Sequence, residues 1–138
     1  MRRFVVSELS MSPALAPGDR MLARRARRLR RGQVVFFPHP HHDDFWLVKR
    51  VIGLPGETVR ITGGTVQVDG GVISEPWAGG ATLPEGEWQV PPGHMFVLSD
   101  ARHRTRADSR TLGPVPTRGA YVSLLRYGRS DSRPSSGR

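Results

Sequence analysis

Two residues of this chain have the side chains and the settings that peptide-bond chemistry uses. Ser10 sits in Glu8-Leu9-Ser10-Met11-Ser12-Pro13-Ala14-Leu15, and Lys49 sits in Leu47-Val48-Lys49-Arg50-Val51-Ile52-Gly53-Leu54-Pro55-Gly56-Glu57. A serine hydroxyl is a weak nucleophile until a neighbouring base removes its proton, and a neutral lysine is one such base. A solvated lysine cannot do this, because a reference pKa of about 10.4 leaves about one molecule in a few thousand neutral at pH 7. Burial disfavours the ammonium, and catalytic lysines are tuned in this way to about 7 to 8, a change of about 3 units or about 4 kcal/mol. Lys49 has the neighbours for it: Phe45, Trp46, Leu47, Val48, Val51 and Ile52 are all apolar. On this reading Ser10 attacks a carbonyl, Lys49 takes its proton and returns it to the leaving amine, and the Ser10 backbone N–H stabilises the oxyanion.

The framework that must hold these residues reads as β-rich. At 138 residues the chain has room for one compact domain and not for two. The 16 Gly and 12 Pro punctuate it so often that long helices have little space. Phe4 to Val6 reads as a short strand entering a serine turn marked by Pro13 and Pro17-Gly18-Asp19. Met21 to Leu29 is open between a helical turn and a strand leading into a basic loop. Further strands are expected at 34–37, at 45–52 carrying Lys49, at 58–61, at 94–98 and at 120–125. Gly63-Gly64 and Asp69-Gly70-Gly71 punctuate a hairpin built from 65–68 and 72–73. A Gly/Pro/Glu-rich excursion runs from Glu75 to Glu87. With no β-helix-β alternation, the expectation is an all-β single domain over residues 1–127 and a disordered Ser/Arg/Gly-rich tail over 128–138.

Several classes of function drop out. The absence of cysteine removes disulfides, thiol nucleophiles and thiolate metal sites. His39-Pro40-His41-His42-Asp43-Asp44 carries metal-ligand side chains, but adjacent residues rarely converge on one ion, and the segment reads as a polar hairpin loop. Neither a metal nor another cofactor is expected. The longest apolar run, Val34-Val35-Phe36-Phe37, is far below the ~20 residues of a spanning helix, and no stretch before Ser10 has signal-peptide character. The expected location is therefore cytoplasmic or peripheral to a membrane. A net charge of +9, concentrated in Arg24–Arg31 and Arg102–Arg110, fits an anionic membrane surface; a nucleic-acid function is not assigned to it. Oligomeric state does not follow from the sequence.

Ser-Met-x-Pro at Ser10 to Pro13, Lys-Arg-Val-Ile-Gly-Leu-Pro-Gly at Lys49 to Gly56, and a third segment from Asp100 to Arg110 followed by Leu112-Gly113-Pro114-Val115-Pro116 stand in an order that resembles the type I signal peptidases. The resemblance covers most of the chain, and it extends to small maturation proteases of the same family, such as the nickel superoxide dismutase leader protease. It implies a coiled antiparallel β fold and a serine endopeptidase with Ser10 and Lys49 as its dyad, cleaving leader or signal peptides after small residues. The partner would be a precursor protein whose extended leader pairs with a strand edge. A hydroxyl of the third box orients the lysine in that family, which points to Thr105 first and Ser109 second. Asp108 and Arg110 match the family's Asp-Ser-Arg and, with Asp100 and Arg50, would form supporting ion pairs. The chain departs from the pattern at Glu8, where many members carry a hydroxyl that donates to the oxyanion, and in the spacing from Asp100 to Asp108, which is one residue longer. The rival reading is a catalytically weak β domain that binds peptides or anionic surfaces.

Overall fold

The computed structural model describes residues 1–129. Eleven strands and one helical turn follow one another along the chain: β1 (Arg2–Val5), β2 (Asp19–Arg25), β3 (Val34–Pro38), β4 (Trp46–Gly53), β5 (Thr58–Thr62), β6 (Thr65–Val68), β7 (Gly71–Val72), β8 (Gly86–Gln89), β9 (His94–Leu98), α1 (Ser109–Leu112), β10 (Val115–Pro116) and β11 (Tyr121–Arg129). They build two antiparallel sheets, one of seven strands in the order β1-β2-β11-β3-β4-β9-β10 and one of four in the order β7-β6-β5-β8. The chain lays down four strands of the large sheet, leaves to build the small one, and returns to complete the large sheet.

Local chemistry explains the hairpins of the small sheet. Thr62 pairs with Thr65, so the intervening Gly63-Gly64 must turn in two residues, and both take positive φ (58° and 80°). That is the primed-turn geometry whose twist suits a hairpin and which glycine reaches without a Cβ penalty. Asp69-Gly70 repeats the device (50° and 85°) where Val68 meets Gly71.

Three apolar clusters fill the interior. One lies within the large sheet, around Val35, Phe37, Leu47, Val51, Met95 and Val97. A second joins the sheets through Ile52, Val59, Ile61, Phe96 and Leu98. The third, containing Val6, Met11, Leu15, Met21 and Phe36, packs beneath the serine turn. Trp46 is half-buried against this third cluster, with Phe4 and Tyr121 around it.

The structure decides one open alternative and adds features that the sequence did not show. Met21 to Arg25 belongs to β2, so the strand alternative holds there. The excursion ends in β8, which pairs with β5, and β10 and α1 close the third box. β11 continues through Gly128 and Arg129, two residues into the tail expected over 128–138, and Arg129 closes on Asp19; the rest of that tail, 130–138, lies outside the described residues. Among the described residues no helix is long and apolar enough to cross a membrane, and no group of three His, Cys, Asp or Glu side chains could hold a metal ion. His39, His41 and His42 cluster in the β3–β4 loop, where the His39 ring accepts the His41 N–H.

Candidate active site

Ser10 begins the turn that follows β1 and is 5% exposed. The turn is closed by Ser12 N–H to Leu9 O (3.0 Å) and Leu15 N–H to Met11 O (2.9 Å). Its two ends are tied together, with Val6 N–H donating to Asp19 O (2.9 Å) and Gly18 N–H to Val6 O (2.7 Å). The buried Asp19 carboxylate accepts Ala16 N–H (2.9 Å) and Arg129 Nε (2.6 Å). The Ser10 loop is thus pinned to β2 through Asp19 and to β11 through Arg129. The Ser10 carbonyl accepts the N–H of Ala101 at 2.9 Å, while the Ser10 N–H finds no acceptor among the described residues.

Lys49 lies on β4, where side chains alternate between faces. Leu47, Lys49 and Val51 point inward, and Trp46, Val48 and Arg50 are half-buried on the other face. Lys49 is only 1% exposed. Burial pushes its pKa down from the ordinary lysine value; the carboxylates of Asp108 and Glu8 oppose that shift, and the Arg110 guanidinium adds to it. Among the described residues its amine has one hydrogen-bond partner, the hydroxyl of Ser99 at 3.0 Å. No carboxylate among the described residues is in hydrogen-bond or ion-pair contact with it, so no such contact there favours the charged form.

Ser10 and Lys49 meet at one cleft of about 50 Å³, lined on one side by Phe4 to Glu8 and Ser10 and on the other by Phe36 and Trp46 to Lys49. β9 pairs with β4 only from Arg50 onward, so the Trp46 to Lys49 stretch has a strand neighbour on its β3 side alone. A second opening, of about 230 Å³, lies between Glu8, Leu9, Ser10, Arg104 and Thr105. Ser10 therefore lines both openings, and Lys49 lines the first.

The third box wraps both residues. Arg50 holds Asp100 bidentately (Nε 2.9 Å, Nη2 2.7 Å), which fastens the lysine strand to the box. Asp108 caps α1 through the Arg110 N–H and clasps the Arg110 guanidinium (3.0 and 2.7 Å), both side chains being fully buried. Burial raises the Asp108 pKa, but the hydrogen bonds from Arg110 and from the Ser99 N–H outweigh it and hold the carboxyl below its ordinary range. Glu8 is exposed and, when ionised, has no hydrogen to donate.

This three-part arrangement has counterparts among known proteins. The family described as "Signal peptidase, peptidase S26" matches residues 1–121. The chain belongs to this family. Among its signal peptidase relatives, Signal peptidase I V of Bacillus subtilis is 32% identical, over 81% of this chain and 76% of the relative. Signal peptidase I of Leptolyngbya laminosa is 35% identical, over 83% of this chain and 61% of the relative. A mitochondrial ATP-independent inner membrane protease subunit, 1b, of Arabidopsis thaliana is 32% identical, over 78% and 57%. The chain thus spans less than two thirds of the length of the last two. The crystal structure of a signal peptidase I from Enterococcus faecalis V583 matches with a TM-score of 0.63 at 28% identity, covering 72% of this chain and 98% of that one. The antiparallel framework is that of the signal peptidase I fold, as the sequence led us to expect.

Within this signal peptidase framework, the hydroxyl against the lysine is that of Ser99, a residue the sequence reading passed over. Thr105 lies at the second opening, and its hydroxyl accepts the Ala107 N–H at 3.0 Å. Ser109 accepts the Val97 N–H at 2.9 Å. Neither reaches Lys49, because the strand register selects another residue: Arg50 pairs with Leu98 and Val51 with Val97, so the next position brings Ser99 opposite Lys49. One signal was available in the composition. Lys49 is the only lysine among 21 Lys and Arg residues, and arginine cannot give up its proton to act as a base.

Proposed function

We propose that this chain is a serine endopeptidase that works through a Ser10/Lys49 dyad and cleaves leader or signal peptides after small residues. The observation that carries the proposal is the state of Lys49: buried, pushed toward its neutral form, hydrogen-bonded only to a neutral hydroxyl, and opening onto the same cleft as Ser10. A neutral amine held by Ser99 keeps its lone pair for the Ser10 hydroxyl. As Ser10 attacks the scissile carbonyl, Lys49 accepts its proton and then gives it to the departing amine, which breaks the peptide bond and leaves an acyl ester on Ser10. Water, deprotonated by the same lysine, releases the acyl group. The unpaired Ser10 N–H is the oxyanion donor that this reading uses.

Two features support the substrate class. The cleft between the Phe4 to Glu8 segment and the Trp46 to Lys49 edge suits an extended peptide adding alongside an unpaired strand. The second opening beside Arg104 and Thr105 gives the leaving segment a way out.

The test is cleavage of an Ala-x-Ala leader peptide by the purified protein, with the residue before the scissile bond varied from Gly, Ala and Ser to Leu and Phe. Ser10→Ala and Lys49→Ala are each expected to lower kcat by about 10⁴-fold or more, the scale on which loss of a nucleophile or its base acts. Cleavage that survives either change, or that prefers Leu or Phe, removes the corresponding part of the proposal.

A further inference from the structure

The buried Arg102 stands outside the dyad and the ion pairs described so far, yet it touches the backbone of the residue that holds the lysine. We propose that Arg102 is a positioning residue for catalysis, locking Ser99, and through it Lys49, by a clamp anchored in the Glu75–Thr82 excursion. The inference rests on the Ser10/Lys49 reading above and adds a role for a guanidinium and a loop that this reading leaves idle.

The geometry is that of a residue fixed at both ends. The Ser99 N–H donates to Asp108 Oδ2 at 2.9 Å, and the Ser99 carbonyl accepts Arg102 Nε at 2.5 Å. Peptide units are planar, so charged partners on both sides leave Ser99 only its side-chain torsion, and its hydroxyl faces Lys49 Nζ. The guanidinium itself is held rigidly: Nη1 donates to Thr82 Oγ1 at 2.5 Å and Nη2 to Glu75 Oε2 at 2.6 Å. At 2% exposure its charge needs that carboxylate, since an unpaired buried cation is costly. The planar fork converts the position of the excursion into the direction of one carbonyl, which a lysine at position 102 could not do. A second bond, Gly79 N–H to Asp100 O at 3.0 Å, ties the same excursion to the next residue of the box.

The clamp meets a need of the chemistry. A lysine side chain has many rotamers on its long flexible stem, and a base that wanders loses the alignment on which proton transfer depends. Ser99 is the amine's one hydrogen-bond partner, so fixing Ser99 fixes the base.

The experiment is a double-mutant cycle on the full chain, comparing wild type, Ser99→Ala, Arg102→Lys and the double variant. Arg102→Lys is expected to lower kcat by about 10-fold with KM little changed when Ser99 is present, and by less than about 2-fold in the Ser99→Ala background, since residues of one network couple. An equal loss in both backgrounds, or a loss confined to KM, overturns the proposal, because a merely structural role persists without the Ser99 hydroxyl. A second readout does not need peptide cleavage. Lys49 is the only lysine, so ε-¹³C-lysine NMR reports its titration as a single resonance. Thr82→Ala, which loosens the guanidinium and keeps Lys49 the only lysine, should move that titration midpoint in the presence of Ser99 and leave it unmoved in Ser99→Ala; a midpoint indifferent to Thr82 in both overturns the clamp. If Arg102→Lys does not fold, Thr82→Ala, which removes one anchor of the guanidinium, is carried through the same cycle with the same criterion. A wild type inert toward leader peptides would count against the peptidase reading, while the titration would still decide the clamp.

Discussion

A primary amine is a general base only while it lacks a proton, and in this chain that requirement falls on one residue. Burial lowers the Lys49 pKa toward that state, and among the described residues its hydrogen bond is to a hydroxyl and not to a carboxylate. The Ser99 hydroxyl takes one amine hydrogen and thereby directs the lone pair. Ser99→Ala is accordingly expected to reduce kcat by about 10-fold or more, as loss of a proton-transfer alignment does, while Thr105→Ala should stay within about 2-fold, its hydroxyl being bonded to the Ala107 N–H. Steady-state kinetics on the two variants distinguishes them, and the reverse order would return the orienting role to Thr105. Ser10 and Lys49 could be singled out because their local sequence is distinctive, and the structure places both at one cleft. The orienting hydroxyl could not be, because it depends on which residue of β9 lies opposite Lys49, and a one-residue slip of register changes the answer.

The elements explain why the third box is so heavily charged. It touches Ser10 through Ala101 N–H to Ser10 O and Lys49 through Ser99, so one loop sets the spacing of both. Its shape rests on two carboxylates with arginine partners, Asp100 with Arg50 and Asp108 with Arg110. The sequence suggested these pairs as supports, and the geometry adds their division of labour: the first fastens β4 to the box, and the second shapes the loop and offers Asp108 to Ser99. Breaking a buried pair by neutralising one partner costs about 3 to 5 kcal/mol. Asp108→Asn should therefore lower the melting temperature at neutral pH by about 10 °C or more. Because the Asp108 pKa is depressed on folding, its contribution is present above the ordinary carboxylate range and lost as pH falls through the folded value, so the difference between variant and wild type should shrink on acidification. Thermal scans across pH check both statements; an unchanged melting temperature at neutral pH would remove the support role. The strands themselves could be read from hydrophobic runs and turn residues, whereas β8 and β10 could not, because short pairings such as Val115 with Met95 arise from tertiary contact and leave little pattern.

At the scale of the whole molecule, the same lysine trades stability for chemistry. Folding lowers its pKa, so between the folded value and the reference value of 10.5 the unfolded chain binds more protons; this contribution to stability rises with pH across that window, and the penalty is full below it. Replacing the amine by an apolar side chain of similar length removes the penalty. Lys49→Met should melt above the wild type at neutral pH, by about 2 to 4 °C per kcal/mol recovered, with the gap closing toward strongly alkaline pH; a variant less stable than wild type at neutral pH would show that Lys49 is not strained there. The most direct test of the central claim, that neutral Lys49 is the base, sets the pH dependence of kcat/KM for leader-peptide cleavage beside the NMR titration of the single lysine. The account predicts that kcat/KM rises with pH through one ionisation whose midpoint coincides with that of Lys49 and lies below the ordinary lysine value. It predicts also that Glu8→Gln, which removes a carboxylate favouring the ammonium, moves both midpoints to lower pH together. A rate that stays flat while Lys49 titrates, or a rate midpoint that does not follow the lysine in Glu8→Gln, would contradict it.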